Sequence, residues 1–182
     1  MMQTILALAL EDAPEASRRH FAAVQTKLGR VPAMMRSMAH SPALLGGYLA
    51  LSGALSEARL DAPIRERIAL ALAETSRCGY CLAAHVVLGR MAGLAPEEID
   101  AARRGVSGDA KAEAALRLAL AIREHTGDVG APALADARAA GLDDAEIVEI
   151  VGVVALNLLT NMFNRLAATE IDFPKIALAA AE

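Results

Sequence analysis

The chain contains no tryptophan, and its 182 residues include only three phenylalanines and two tyrosines. A core of stacked rings is therefore excluded. With hydrophobic residues at 55%, the interior must be filled by Ala, Leu, Val, Ile and Met. That palette favours closely packed helices. Long runs of one charge are also missing. The 18 basic and 22 acidic residues are dispersed to a net charge of −4, and a chain without a basic stripe is not built to follow a phosphate backbone, so no nucleic-acid partner is expected. Cysteine occurs twice, too few for a disulfide framework.

The apolar opening "TILALAL" is short, has no basic residue before it and runs directly into "EDAPE". This is not the pattern of a secretory leader, and a cytoplasmic location is expected. The late apolar segment "IVEIVGVVALNLLTNMFNRLAA" is interrupted by Asn157, Asn161, Asn164 and Arg165. These side chains are costly in lipid, so a buried helix of a soluble protein is expected in place of a membrane span. The mean hydropathy of +0.35 is nevertheless high for a soluble monomer. We expect some apolar helix faces to be covered by other copies of the chain.

Length suits a single domain over 1–182, with 1–60 as an N-terminal helical extension and 61–168 as a core. Helix starts are punctuated by Asp12 with Pro14, Ser41 with Pro42, Asp61 with Pro63, and Asp143 or Asp144 before Glu146. Gly29, Gly93, Gly105 and Gly141 mark stops. The reading is all-α, with helices at about 13–28, 32–39, 42–57, 62–75, 78–92, 96–104, 110–125, 132–140 and 145–168 and no alternating strand between them. One weak internal similarity relates "DAPIRERI" (61–68) to "DAEIVEIV" (144–151). Its offset sets Asn161 and Asn164 against Cys78 and Cys81, either as two capped helix starts or as a duplicated two-helix unit.

The chemistry concentrates in "SRCGYCLAAHVVLG", Ser76 to Gly89. Two cysteines placed at random would fall three apart roughly once in a hundred times. Cys78-x-x-Cys81 supports a dithiol/disulfide couple or half of a zinc site. A second Cys-x-x-Cys or a His-x3-His is missing, and His20, His40 and His125 stand isolated. A reversible dithiol is the stronger reading, and no metal is expected. His85 follows Cys81 by four residues, which on a helix puts imidazole and thiol on one face.

A straight helix over 62–92 would hold Glu66 and His85 almost 30 Å apart. A break at "TSR", with Ser76 capping the following helix, would instead fold the chain into an αα-hairpin that sets Glu66 level with His85. Glu74 would then lie close to Cys78.

Glu66, eleven intervening residues, Cys78-x-x-Cys81 and His85 after three more together resemble the signature of the alkyl hydroperoxidase D-like members of the carboxymuconolactone decarboxylase family. The likeness extends from "LGRVPAMMRSMAHSP" to "NMFNRLA". It implies an all-helical fold of eight or nine helices, assembled as homo-oligomers (dimer, trimer or hexamer). It also implies peroxidase or disulfide reductase activity. In those roles Cys81 is the peroxidatic thiol, Cys78 the resolving thiol, His85 the proton acceptor and Glu66 the carboxylate that orients it. Some relatives carry a further histidine between the cysteines, where this chain has Tyr80.

The expected substrate is a small hydroperoxide. No flavin, haem or nicotinamide fingerprint is present, so no cofactor is expected and electrons must come from a dithiol protein or a small thiol. The alternatives are a lactone-processing enzyme of the decarboxylase branch, and a non-enzymatic redox sensor in which disulfide formation alters subunit packing.

Overall fold

The computed structural model describes residues 3–180; the outermost two at each end of the expected domain lie outside the described residues. Within that span the chain forms nine helices and no strand. They are α1 (Glu15–Leu28), α2 (Ala33–Met38), α3 (Pro42–Ser56), α4 (Ala62–Thr75), α5 (Gly79–Met91), α6 (Pro96–Arg103), α7 (Ala110–His125), α8 (Gly130–Ala139) and α9 (Asp144–Ala167). Each lies within about two residues of its expected position, because the caps act locally. The side chains of Ser41, Asp61 and Asp143 accept from the backbone N–H groups of Leu44, Ile64 and Glu146. Glu146 returns a carboxylate to the Asp143 N–H at 3.0 Å, closing a capping box. Asp12 does not cap α1. Its N–H is tied back to the Ala9 carbonyl in a turn of its own, and Pro14 takes the N-cap position.

All four expected stop glycines have positive φ. At Gly105 the space is also restricted, since a Cβ there would come to 3.0 Å from Leu120.

Two clusters of buried side chains fill the interior. One joins α1, α2 and α3 to the cysteine-bearing α5 through Phe21, Met34, Met38, Leu45, Cys78, Cys81 and Leu82. The other packs α4, α7 and α9 through Ile68, Leu72, Leu116, Ile150 and Val154. α4 lies between the two, contacting α5, α6, α7 and α9.

α9 is long and apolar enough to cross a membrane by length and composition alone. One face is nevertheless buried against α3, α4 and α7 and carries Asn157, Thr160, Asn161 and Asn164. The opposite face exposes Val148, Val151, Met162 and Leu166, the last at 71%. Because α9 is one unbroken helix, the segment resembling 61–68 does not open a second two-helix unit.

Candidate functional site

The site is made by the break between α4 and α5. Ser76 is the C-cap of α4, directly after its last residue Thr75. Arg77 takes the left-handed conformation, φ 55°. The Cys78 N–H reaches the Ala73 carbonyl and the Arg77 N–H reaches that of Glu74, both at 2.9 Å. This pair of bonds is a Schellman ending, which satisfies the carbonyls α4 would otherwise leave open. α5 then starts at once. Its N-cap is Cys78, not the expected Ser76, and the Cys78 sulfur accepts from the Cys81 N–H at 3.3 Å. Ser76 serves the turn differently: with the Leu72 carbonyl it receives the buried Asn161 amide, each at 3.2 Å. Asn161→Ala should lower unfolding stability by about 1–3 kcal/mol, measured by denaturant titration, since it strips a buried donor from the turn and leaves a gap.

The hairpin brings Glu66 and His85 together as the register requires. Glu66 Oε2 lies 2.8 Å from His85 Nδ1, with both side chains about one fifth exposed. With the carboxylate ionised, Nδ1 carries the proton and donates it to this bond, leaving Nε2 as the basic nitrogen. Cys78 and Cys81 are 2% and 3% exposed and joined as a disulfide. In this oxidised form the hydrogen bond of His85 goes to Glu66 and not to a sulfur; the Cys81 sulfur is turned toward Cys78.

Glu74 does not join the cysteines. Arg103 draws it away, with Nε at 2.7 Å and a second guanidinium nitrogen at 2.6 Å, and its other oxygen receives the Ala179 N–H. Tyr80 packs. Its ring meets Phe173 edge-on with centroids 5.6 Å apart, and its hydroxyl accepts from the Met34 N–H at 3.3 Å. Burial drives the Tyr80 phenol far above its ordinary range, opposed by the Met34 bond and reinforced by the Asp172 carboxylate. Burial likewise raises Tyr48, opposed by the Ser52 hydroxyl and reinforced by Glu66. Both phenols therefore stay neutral and supply no anion to the site. Among the described residues, no three or more His, Cys, Asp or Glu side chains converge as metal ligands would. Of the isolated histidines, His40 is exposed and bonds the Leu6 carbonyl.

Sequence reasoning missed two features. The first is the segment after α9, which crosses the start of α5. Asp172 is held by Arg30 and by the Ala33 N–H, each at 2.9 Å, and Arg30 stacks 4.5 Å above Phe173. No periodicity marks this stretch as ordered. The second is Asn164, 4% exposed, whose Nδ2 lies 3.4 Å from Cys81 Sγ and 3.1 Å from Met34 Sδ. Its signal is the set of amides at 157, 161 and 164, a helical spacing inside an apolar run, which from sequence argues against a membrane span and, through the internal similarity, sets Asn164 against Cys81 in a repeat, but does not place the two in contact.

Residues 42–124 match the model of the carboxymuconolactone decarboxylase family. That stretch contains the Glu66, Cys78, Cys81 and His85 set. Among curated proteins, none matches the sequence. Among solved structures, an alkylhydroperoxidase AhpD core, described as an uncharacterized peroxidase-related protein from Ralstonia eutropha JMP134, superposes with a TM-score of 0.84. It is 22% identical, with 94% of this chain and 93% of that one covered. An uncharacterized peroxidase-related protein from Silicibacter sp. TM1040 gives a TM-score of 0.79 at 25% identity, covering 91% of each chain. A substituted form of the debrominase Bmp8 in complex with 2,3,4-tribromopyrrole gives 0.78 at 18% identity, covering 94% and 93%.

Proposed function

We propose that the chain, whose residues 42–124 match the carboxymuconolactone decarboxylase family and whose fold is that of an alkylhydroperoxidase AhpD core, belongs to the alkyl hydroperoxidase D-like branch of that family and is a thiol-dependent peroxidase that reduces small hydroperoxides. The observation that carries this reading is the adjacency of a buried cysteine pair and a Glu66–His85 contact on one αα-hairpin.

The cycle begins with both thiols reduced. Glu66 accepts the Nδ1 proton bond of His85, so Nε2 takes the proton of Cys81. The Cys81 thiolate attacks the distal oxygen of the hydroperoxide and the O–O bond breaks. The leaving alkoxide takes a proton from His85 and departs as an alcohol. Cys81 becomes a sulfenic acid, oxidised by two electrons. The Cys78 sulfur then attacks Cys81 Sγ, the S–O bond breaks, and hydroxide leaves as water with the Cys78 proton. The product is the Cys78–Cys81 disulfide, the form described above. A dithiol protein or small thiol returns two electrons by exchange through a mixed disulfide.

A stoichiometric thiol count tests the reading. The reduced protein should lose two thiols per equivalent of an organic hydroperoxide, faster than the same thiols in the unfolded chain. Equal rates in folded and unfolded protein would leave the pair structural.

We further propose a soluble, cytoplasmic homo-oligomer in which a second copy covers the Val148, Val151, Met162 and Leu166 face of α9. Light scattering should return a multiple of the 19.0 kDa chain mass, and Met162→Lys with Leu166→Lys should return the monomer. A monomeric mass for the unaltered chain sinks this assembly.

A further inference from the structure

The buried amides of α9 differ in what they meet. Asn157 donates to the Val153 carbonyl at 2.9 Å, within its own helix. Asn161 donates to a carbonyl and a hydroxyl at the end of α4. Asn164 donates to two sulfurs, those of Met34 and Cys81, and its carbonyl oxygen has no hydrogen-bond partner. A thioether and a disulfide are weak acceptors. An amide sealed among them is poorly satisfied, which is costly for a buried polar group.

The same amide beside a thiolate is in the opposite situation. A hydrogen bond to an ionised acceptor is about twice as strong as one between neutral groups. Among the described residues, no other side-chain donor within hydrogen-bond distance contacts the Cys81 sulfur, while the Cys78 sulfur receives a backbone N–H from its own helix. We propose that Asn164 is a catalytic residue whose Nδ2 donates to the reduced Cys81 sulfur. It would stabilise the thiolate there and make Cys81, not the N-cap Cys78, the attacking thiol.

This inference deepens the peroxidase reading and rests on its assignment of Cys81. It also bears on a conflict in the hairpin itself, since a helix N-terminus by itself favours the anion at Cys78. The titratable groups on the elements around Cys81 are Tyr80, His85 and Arg90 on α5, Arg65, Glu66, Arg67 and Glu74 on α4, Arg36 on α2, Tyr48 on α3, and Glu170, Asp172 and Lys175 on the final segment; Arg67 is paired with Glu98 and Glu74 with Arg103. The buried face of the C-terminal half of α9 adds only amides and the Thr160 hydroxyl.

The test isolates the thiol in Cys78→Ser and follows alkylation of Cys81 by iodoacetamide as a function of pH, a reaction that needs no hydroperoxide. Adding Asn164→Leu should move the midpoint to higher pH and slow alkylation at pH 7 about 5–10-fold. Asn164→Asp, of the same shape but with a carboxylate in place of the donor, should slow it at least as much. Midpoints unchanged in both folded variants overturn the proposal. Should neither variant fold, the Asn164 side-chain amide protons of the Cys78→Ser protein are followed by NMR. They should shift with the titration of Cys81, and their indifference to it overturns the proposal equally. A shifted midpoint in a protein that consumes no hydroperoxide would sink the peroxidase reading and leave the Asn164 assignment standing. Rapid peroxide consumption with an unshifted midpoint would do the reverse.

Discussion

Cys81→Ser should abolish hydroperoxide consumption, a loss of at least about a thousandfold, as removal of a covalent nucleophile commonly produces. A serine hydroxyl keeps its proton at neutral pH and forms neither a sulfenic acid nor a disulfide. The informative comparison is with Cys78→Ser. That variant keeps the first oxidation and loses the second, so it should react once, consume one thiol per peroxide and stop with a sulfenic acid that dimedone labels at Cys81. Turnover should vanish in both variants while labelling survives in only one. The structure makes the outcome a real choice, because both sulfurs are buried and each has an N–H donor. Labelling at Cys78 in the Cys81→Ser protein would exchange the two roles and show that the helix N-terminus outweighs the histidine and the Asn164 amide.

Glu66→Gln should slow the first oxidation about 10–100-fold, in the range typical for removing the group that orients a functional histidine. A glutamine has nearly the same shape, but its amide is neutral and can present either its oxygen or its NH2 to Nδ1. If it presents the NH2, Nδ1 must accept, and the proton moves to Nε2, where a base is required. His85→Ala removes the base itself and should cost about 10²–10⁴-fold. The double variant should be little worse than His85→Ala alone, because residues acting through one another are not additive. Single-turnover loss of thiols measures all three. Full additivity would mean that Glu66 acts on the sulfurs by a route independent of His85, and the 2.8 Å contact would then be structural.

How far the site could be read from the chain depends on the range of the forces involved. Helix ends are decided within four residues, by the side chains of Ser41, Asp61 and Asp143 accepting from first-turn N–H groups and by glycines at stops. The αα-hairpin follows the same logic. Once the chain reverses near residue 76, the rise per residue alone sets Glu66 level with His85. The cap of the second helix is not legible locally, because a thiol ranks low among capping side chains and the sequence favours Ser76 as the acceptor. Cys78 won because the Schellman ending uses Ser76 and Arg77 to finish α4, leaving the next residue to begin α5.

By itself, then, the sequence determined the positions of the helices, four of their stops and, given a reversal near residue 76, the vertical register of a carboxylate, an imidazole and two sulfurs. Packing decided the rest. Asn164 reaches Cys81 across 83 residues and Asp172 reaches Ala33 across 139. Arg103 claims Glu74 across 29. Periodicity tells which face of α9 is buried, but not which residue of α5 that face will meet, because the meeting point depends on the crossing angle and axial offset of two helices that share no local sequence. Those quantities are set by the summed fit of many side chains in the two core clusters, which exists only once the whole chain has folded.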